Sequence, residues 1–166
     1  MMMVHTFSIT LLMGLSSAAF AQDLANAPWT ADELKTVFHT ACVASQPALL
    51  ERRTEDMAAS LGFATIDGDA DLTVTSADAA LTITVDGNPI EASCTMTLPV
   101  NAHTTDPVQM HGALGALFAE LNADERPNEE MISSGFTWNW ASDDTYYDAI
   151  LTQDQDQLTV SLTVSR

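Results

Sequence analysis

Apolar residues return at helical spacing twice early in the chain. Thr30 followed by Glu33 reads as a capping box, and Leu34, Val37, Phe38, Ala41 and Cys42 then share one stripe. Pro47 closes that helix and suits the first turn of the next. Leu50, Met57, Ala58 and Leu61 form the second stripe, and Gly62 is a natural stop. The pattern predicts a helical hairpin over residues 31–46 and 48–61.

From Phe63 the period changes to two. Leu72 and Val74 alternate with Thr73 and Thr75, and Leu81, Ile83 and Val85 alternate with Thr82 and Thr84. Asp86-Gly87-Asn88 is a turn signal, after which Ile90, Ala92, Cys94, Met96 and Leu98 share a face. Asp106-Pro107 opens a third helix with Met110, Leu114, Leu117, Phe118 and Leu121 on one stripe. An acidic loop is expected over 122–130. Three more alternating runs follow, through Phe136, Trp138 and Trp140, through Tyr147, Ala149 and Leu151, and through Leu158, Val160, Leu162 and Val164.

The expected fold is α+β: an antiparallel sheet of about six strands in the order ααβββαβββ, with room for one more short strand at 63–66. Clean alternation implies a sheet covered on one face only, and the N-terminal hairpin plus the central helix are its cover. Helix-then-three-strands occurs twice, at 48–98 and 107–164, without matching residues. A chain of this length supports a single core, expected over 30–166.

Ahead of it, Phe7 to Leu15 is an apolar run too short to span a bilayer, and Ala19-Phe20-Ala21 is a cleavage pattern. Residues 1–21 therefore read as a signal peptide and 22–29 as a loose leader. The expected destination is periplasmic or secreted, with no membrane association after cleavage.

Charge narrows the partners. The chain carries 23 Asp plus Glu against five Lys plus Arg, a formal net charge of -18. Such a surface repels nucleic-acid phosphate and anionic lipid, and favours cationic partners. In an oxidising compartment Cys42 and Cys94, both turned toward the helix–sheet interface, are expected to form a disulfide. Closing a loop of about 50 residues contributes on the order of 4 kcal/mol in the chain-entropy model.

Other residues suggest chemistry less specifically. Asp67, Asp69 and Asp71 present alternate oxygens suited to a weak calcium site, although Leu72 stands where a calcium loop needs Gly. An exposed interstrand turn explains them equally well. His103 and His111 are eight positions apart across a helix start, the wrong spacing for a helical zinc pair. Either one beside a carboxylate would suit a small hydrolase. Trp138 and Trp140 offer a ligand platform or simply core. The outward threonines suit a solvated pleated surface, or an array that orders water or accepts a partner. No Gly-rich phosphate loop or nucleophile elbow occurs, and no cofactor is expected. The preferred reading is an exported acidic, non-catalytic binding protein of the bacterial cell envelope, facing a cationic envelope protein. The alternatives are the hydrolase using His103 or His111 and a calcium-stabilised domain.

Overall fold

The computed structural model describes residues 28–44, 51–103, 105–121 and 126–166. The expected signal peptide, most of the leader, and Pro47 lie outside them.

Helix α1 spans Ala31–Phe38, and its capping box forms as the sequence predicts: Glu33 N–H donates to the Thr30 hydroxyl, and Thr30 N–H donates to the Glu33 carboxylate. The predicted helix over 31–46 changes character after Phe38. A wider π turn, His39–Val43, follows, with Ala44 N–H donating to the His39 carbonyl. It carries Ala41, Cys42 and Val43 into the core. Helix α2 is Glu51–Ser60, and Gly62 follows it at φ 80°, the left-handed stop that glycine adopts without strain. Helix α3 spans Pro107–Leu121, capped by reciprocal bonds between Asp106 and Gln109.

The strands are β1 Ala64–Thr65, β2 Leu72–Thr75, β3 Thr82–Gly87, β4 Glu91–Pro99, β5 Asn128–Ile132, β6 Gly135–Ser142, β7 Thr145–Gln153 and β8 Gln157–Ser165. All pair antiparallel in one sheet of order β1-β2-β3-β4-β8-β7-β6-β5. The count is eight rather than about six. Strand β1 fills the room left at 63–66, and β5 arises where the acidic run predicts a loop. Helix α2 lies over β1–β3 and α3 over β6 and β7, while α1 packs on α3. Leu34, Phe38, Phe118, Ile83, Met96, Leu151, Val160 and Leu162 are fully buried between these layers. Trp29, which the sequence assigns to the loose leader, is 1% exposed, and its backbone N–H donates to the Ala102 carbonyl. Its indole is too large an apolar surface to leave in water.

Two meanders of one helix and four strands compose the sheet, joined at the β4–β8 pair. Their registers coincide. Thr82 pairs with Thr97 in the first as Asp148 pairs with Thr163 in the second, and Gln157 stands to Pro99 as Glu91 stands to Ser165. The β3–β4 and β7–β8 turns are also the same. Asn88 Oδ1 accepts from the amides of Ile90 and Glu91, and Asp154 Oδ1 accepts from those of Asp156 and Gln157. The duplicated half is therefore visible in backbone pairing although the side chains do not repeat.

Candidate functional site

The sheet face away from the helices is built from the outward positions of every strand. Rows cross it at the strand spacing of about 4.8 Å. One row reads Thr75, Thr82, Thr97, Thr159, Thr152. The next reads Thr73, Thr84, Thr95, Ser161, Ile150 and Thr137. A third reads Asp86, Ser93, Thr163, Asp148, Asn139, Asn128. The described helices all lie on the other face. No Lys or Arg occupies any outward strand position.

At one end of this face a pocket of about 390 Å³ opens among Glu91, Asn139, Tyr146, Asp148, Thr163 and Ser165. Register brings them together from four strands: Asp148 lies between Asn139 and Thr163, and Ser165 between Glu91 and Tyr146. Trp140 and Tyr147 also border it but alternate to the opposite face, where their rings stack at 5.0 Å. Every side chain on the outward side accepts hydrogen bonds, and two are carboxylates. Burial pushes the Asp148 carboxyl above its usual range.

A second constellation lies on the covered face. Glu129 of β5 faces Trp138 of β6. One of its oxygens meets His111 Nε2 at 2.7 Å, and the other accepts from Trp138 Nε1 at 3.1 Å. The His111 ring stacks on Trp138, with centroids 5.4 Å apart, and lies 4.0 Å from the Phe136 centroid. Gly115 of α3 leaves the space above the indole nitrogen open, since a Cβ there would lie 3.8 Å from it. This carboxylate orients a histidine, as in acid–base dyads. Among the described residues no Ser, Thr or Cys side chain is hydrogen-bonded to His111.

The remaining predicted residues sort as follows. Cys42 and Cys94 form the expected disulfide, with Cα atoms 5.6 Å apart, tying the π turn to the central strand β4. Trp138 is 1% exposed and belongs to the core, and Trp140 is packed between Phe118 and Tyr147, so neither ring is an open platform. His103 is buried, its Nδ1 2.8 Å from the Thr105 carbonyl, with no carboxylate bonded to it among the described residues. Asp67, Asp69 and Asp71 stay in the exposed loop between β1 and β2. Asp71 accepts from Gly87 N–H while its own N–H donates to Asp86, which fastens that loop to the end of β3. Among the described residues no group of three or more His, Cys, Asp or Glu side chains converges as a metal site would require.

Asp143, Asp144 and Asp148 lie close together in the sequence, as a turn cluster would. Only Asp143 and Asp144 make the turn, at φ 47° and 61°, the two-residue hairpin geometry that Asp tolerates. Asp148 is mid-strand and faces outward. Alternation within β7 gives that orientation, but its neighbours depend on the β7–β8 and β4–β8 pairings, which no local signal announces.

Comparison with known proteins adds no relative: no family model, no curated protein and no solved structure matches this chain.

Proposed function

We propose that this chain is an exported, non-catalytic binding protein that engages a cationic partner through the uncovered face of its sheet. One observation carries the reading: most outward positions of an eight-stranded sheet carry hydroxyls, amides or carboxylates, and no basic residue occupies any outward strand position. Such a face supplies acceptors for hydrogen bonds and a negative potential that speeds encounter with a basic surface. Two further observations support it. The disulfide fits an oxidising compartment, which the expected leader would reach. Among the described residues, no helix is long and apolar enough to cross a membrane.

The test is retention of basic envelope proteins by the immobilised chain at low and at high salt. Binding through this face requires retention at low salt, loss at high salt, and weakening when Glu91→Gln and Asp148→Asn are combined. The loop pair Asp67→Asn with Asp69→Asn removes the same charge and leaves retention unchanged if the face is the site. Equal weakening by both pairs overturns the reading in favour of net charge alone.

The contact between His111 and Glu129 favours a second reading, a small hydrolase that uses this pair. His111→Ala and Glu129→Gln would each abolish a hydrolytic activity of the purified chain. Activity surviving both substitutions would eliminate it.

A further inference from the structure

We infer that the pocket bounded by Glu91, Asp148 and Tyr146 is a subsite for a single guanidinium group, an arginine side chain of the cationic partner. The inference rests on the binding reading above and adds where on the face recognition is made and by what chemistry.

The molecule contains its own reference for this site. The two meanders share their registers, so each pocket position has a counterpart on the same face in the other half. Glu91 corresponds to Gln157, Asp148 to Thr82, Asn139 to Thr75, Thr163 to Thr97 and Ser165 to Pro99. The counterpart strands pair in the same way with no carboxylate among those residues. The fold therefore does not need Glu91 and Asp148, and their presence in one half alone is an addition to the scaffold.

Neither carboxylate is used internally. Asp148 and Glu91 make no side-chain hydrogen bond or ion pair among the described residues, and no basic residue lines the pocket. Both carboxylates are exposed at the pocket, so a cation entering it meets two acceptors that no internal group engages. Arg166 follows Ser165 beyond the end of β8, and its backbone N–H donates to the Ile90 carbonyl.

The shape of the acceptor set selects the kind of cation. Glu91 and Asp148 stand two strands and one two-residue step apart, on the order of 12 Å between Cα atoms. The hydroxyls of Thr163 and Ser165 and the Asn139 amide lie between or beside them. A guanidinium carries five donors in one plane and is weakly hydrated, so it can meet several of these acceptors at once. An ammonium is a compact, strongly hydrated point charge that meets fewer. Tyr146, 65% exposed at the rim, offers a ring face on which a guanidinium stacks. The volume of about 390 Å³ admits the group and its alkyl stem.

The experiment is a chemical-shift titration of the full chain at low salt with N-acetyl-arginine amide, N-acetyl-lysine amide and the uncharged citrulline analogue. The expected result is saturable shifts at Asn139, Tyr146, Asp148 and Thr163 with the arginine amide. Binding of the lysine amide is expected several-fold weaker and that of citrulline undetectable. Asp148→Asn weakens the arginine amide at least tenfold, and Asp69→Asn leaves it unchanged. Equal binding of arginine and lysine amides, unchanged binding by Asp148→Asn, or shifts located elsewhere would each overturn the subsite. Retention of a basic protein separates the two proposals. Undiminished retention by Asp148→Asn removes the pocket and keeps the wider face, whereas saturable arginine binding without retention of any basic protein keeps the pocket and removes the partner reading.

Discussion

Thr95 stands directly opposite Ser161 at the middle of the sheet, and strand pairing runs outward from that pair in the same register on both sides. The sister turns at Asn88 and Asp154 are a direct consequence. Both hold two backbone amides with one side-chain oxygen, but only Asp154 does so with a charge. The amides of Asp156 and Gln157 hold its carboxyl below the ordinary value of 3.8. A lowered folded value means the turn contributes fully above the ordinary range and loses that contribution as pH falls through the folded value. Asp154→Asn should therefore melt below the parent at pH 7, and the difference should shrink as pH falls below about 4 and the parent carboxyl protonates. Asn88→Ala should cost about 1 kcal/mol at every pH. Thermal melts across pH check both.

The disulfide ties the π turn to β4 at the sheet's centre, across 52 positions of chain. Alkylation of the non-reduced chain should add no label at Cys42 or Cys94, as mass measurement would show. Cys94→Ala should cost about 2–4 kcal/mol, or on the order of 10 °C in melting temperature. Two labels without reductant would contradict the pairing.

Glu129 secures the edge strand β5 to the helix layer. Glu129→Ala leaves the Trp138 indole N–H without its acceptor in a buried setting and releases His111, for an expected loss of about 1–3 kcal/mol. The neighbouring Glu130→Ala, on the outward face, should change stability by less than about 0.5 kcal/mol. Denaturant titrations of the two variants, with tryptophan fluorescence as the readout, separate the roles. Equal losses would remove the special place given to Glu129.

The same residue explains where sequence reasoning stops. In β4 and β8 the inward positions are apolar without exception, so Cys94, Met96, Val160 and Leu162 announce both strand and face. Strand β5 has a carboxylate at an inward position, because that carboxylate is what the indole and imidazole require. The apolar alternation is lost, and the segment reads as an acidic loop. Strand β1 is two residues long and leaves no period to detect. Trp138 and Trp140 were legible as one face, but only the position of α3 decides that the face is covered. The pocket is the least legible part. Glu91 and Asp148 are distant in sequence, and they border one pocket because β4 and β7 both pair with β8, a long-range choice that turn chemistry and periodicity do not encode.

Asp148 also predicts a cost of function. Burial raises its carboxyl above the ordinary value of 3.8, so the charged form is less favourable in the folded chain than in the unfolded one. The penalty is absent at pH values below the ordinary range, where the group is protonated in both states. It sets in as pH rises through the two values and is complete at pH 7. Asp148→Asn keeps the shape and removes the charge. It should raise the melting temperature at pH 7 and leave it unchanged near pH 3, while weakening guanidinium binding. Saturating arginine amide should then stabilise the parent and not the variant, as mass action requires for a ligand held only by the folded state. Melts of both proteins at the two pH values, with and without the amide, check the whole chain of reasoning. A variant less stable than the parent at pH 7 would show that Asp148 supports the sheet rather than a ligand.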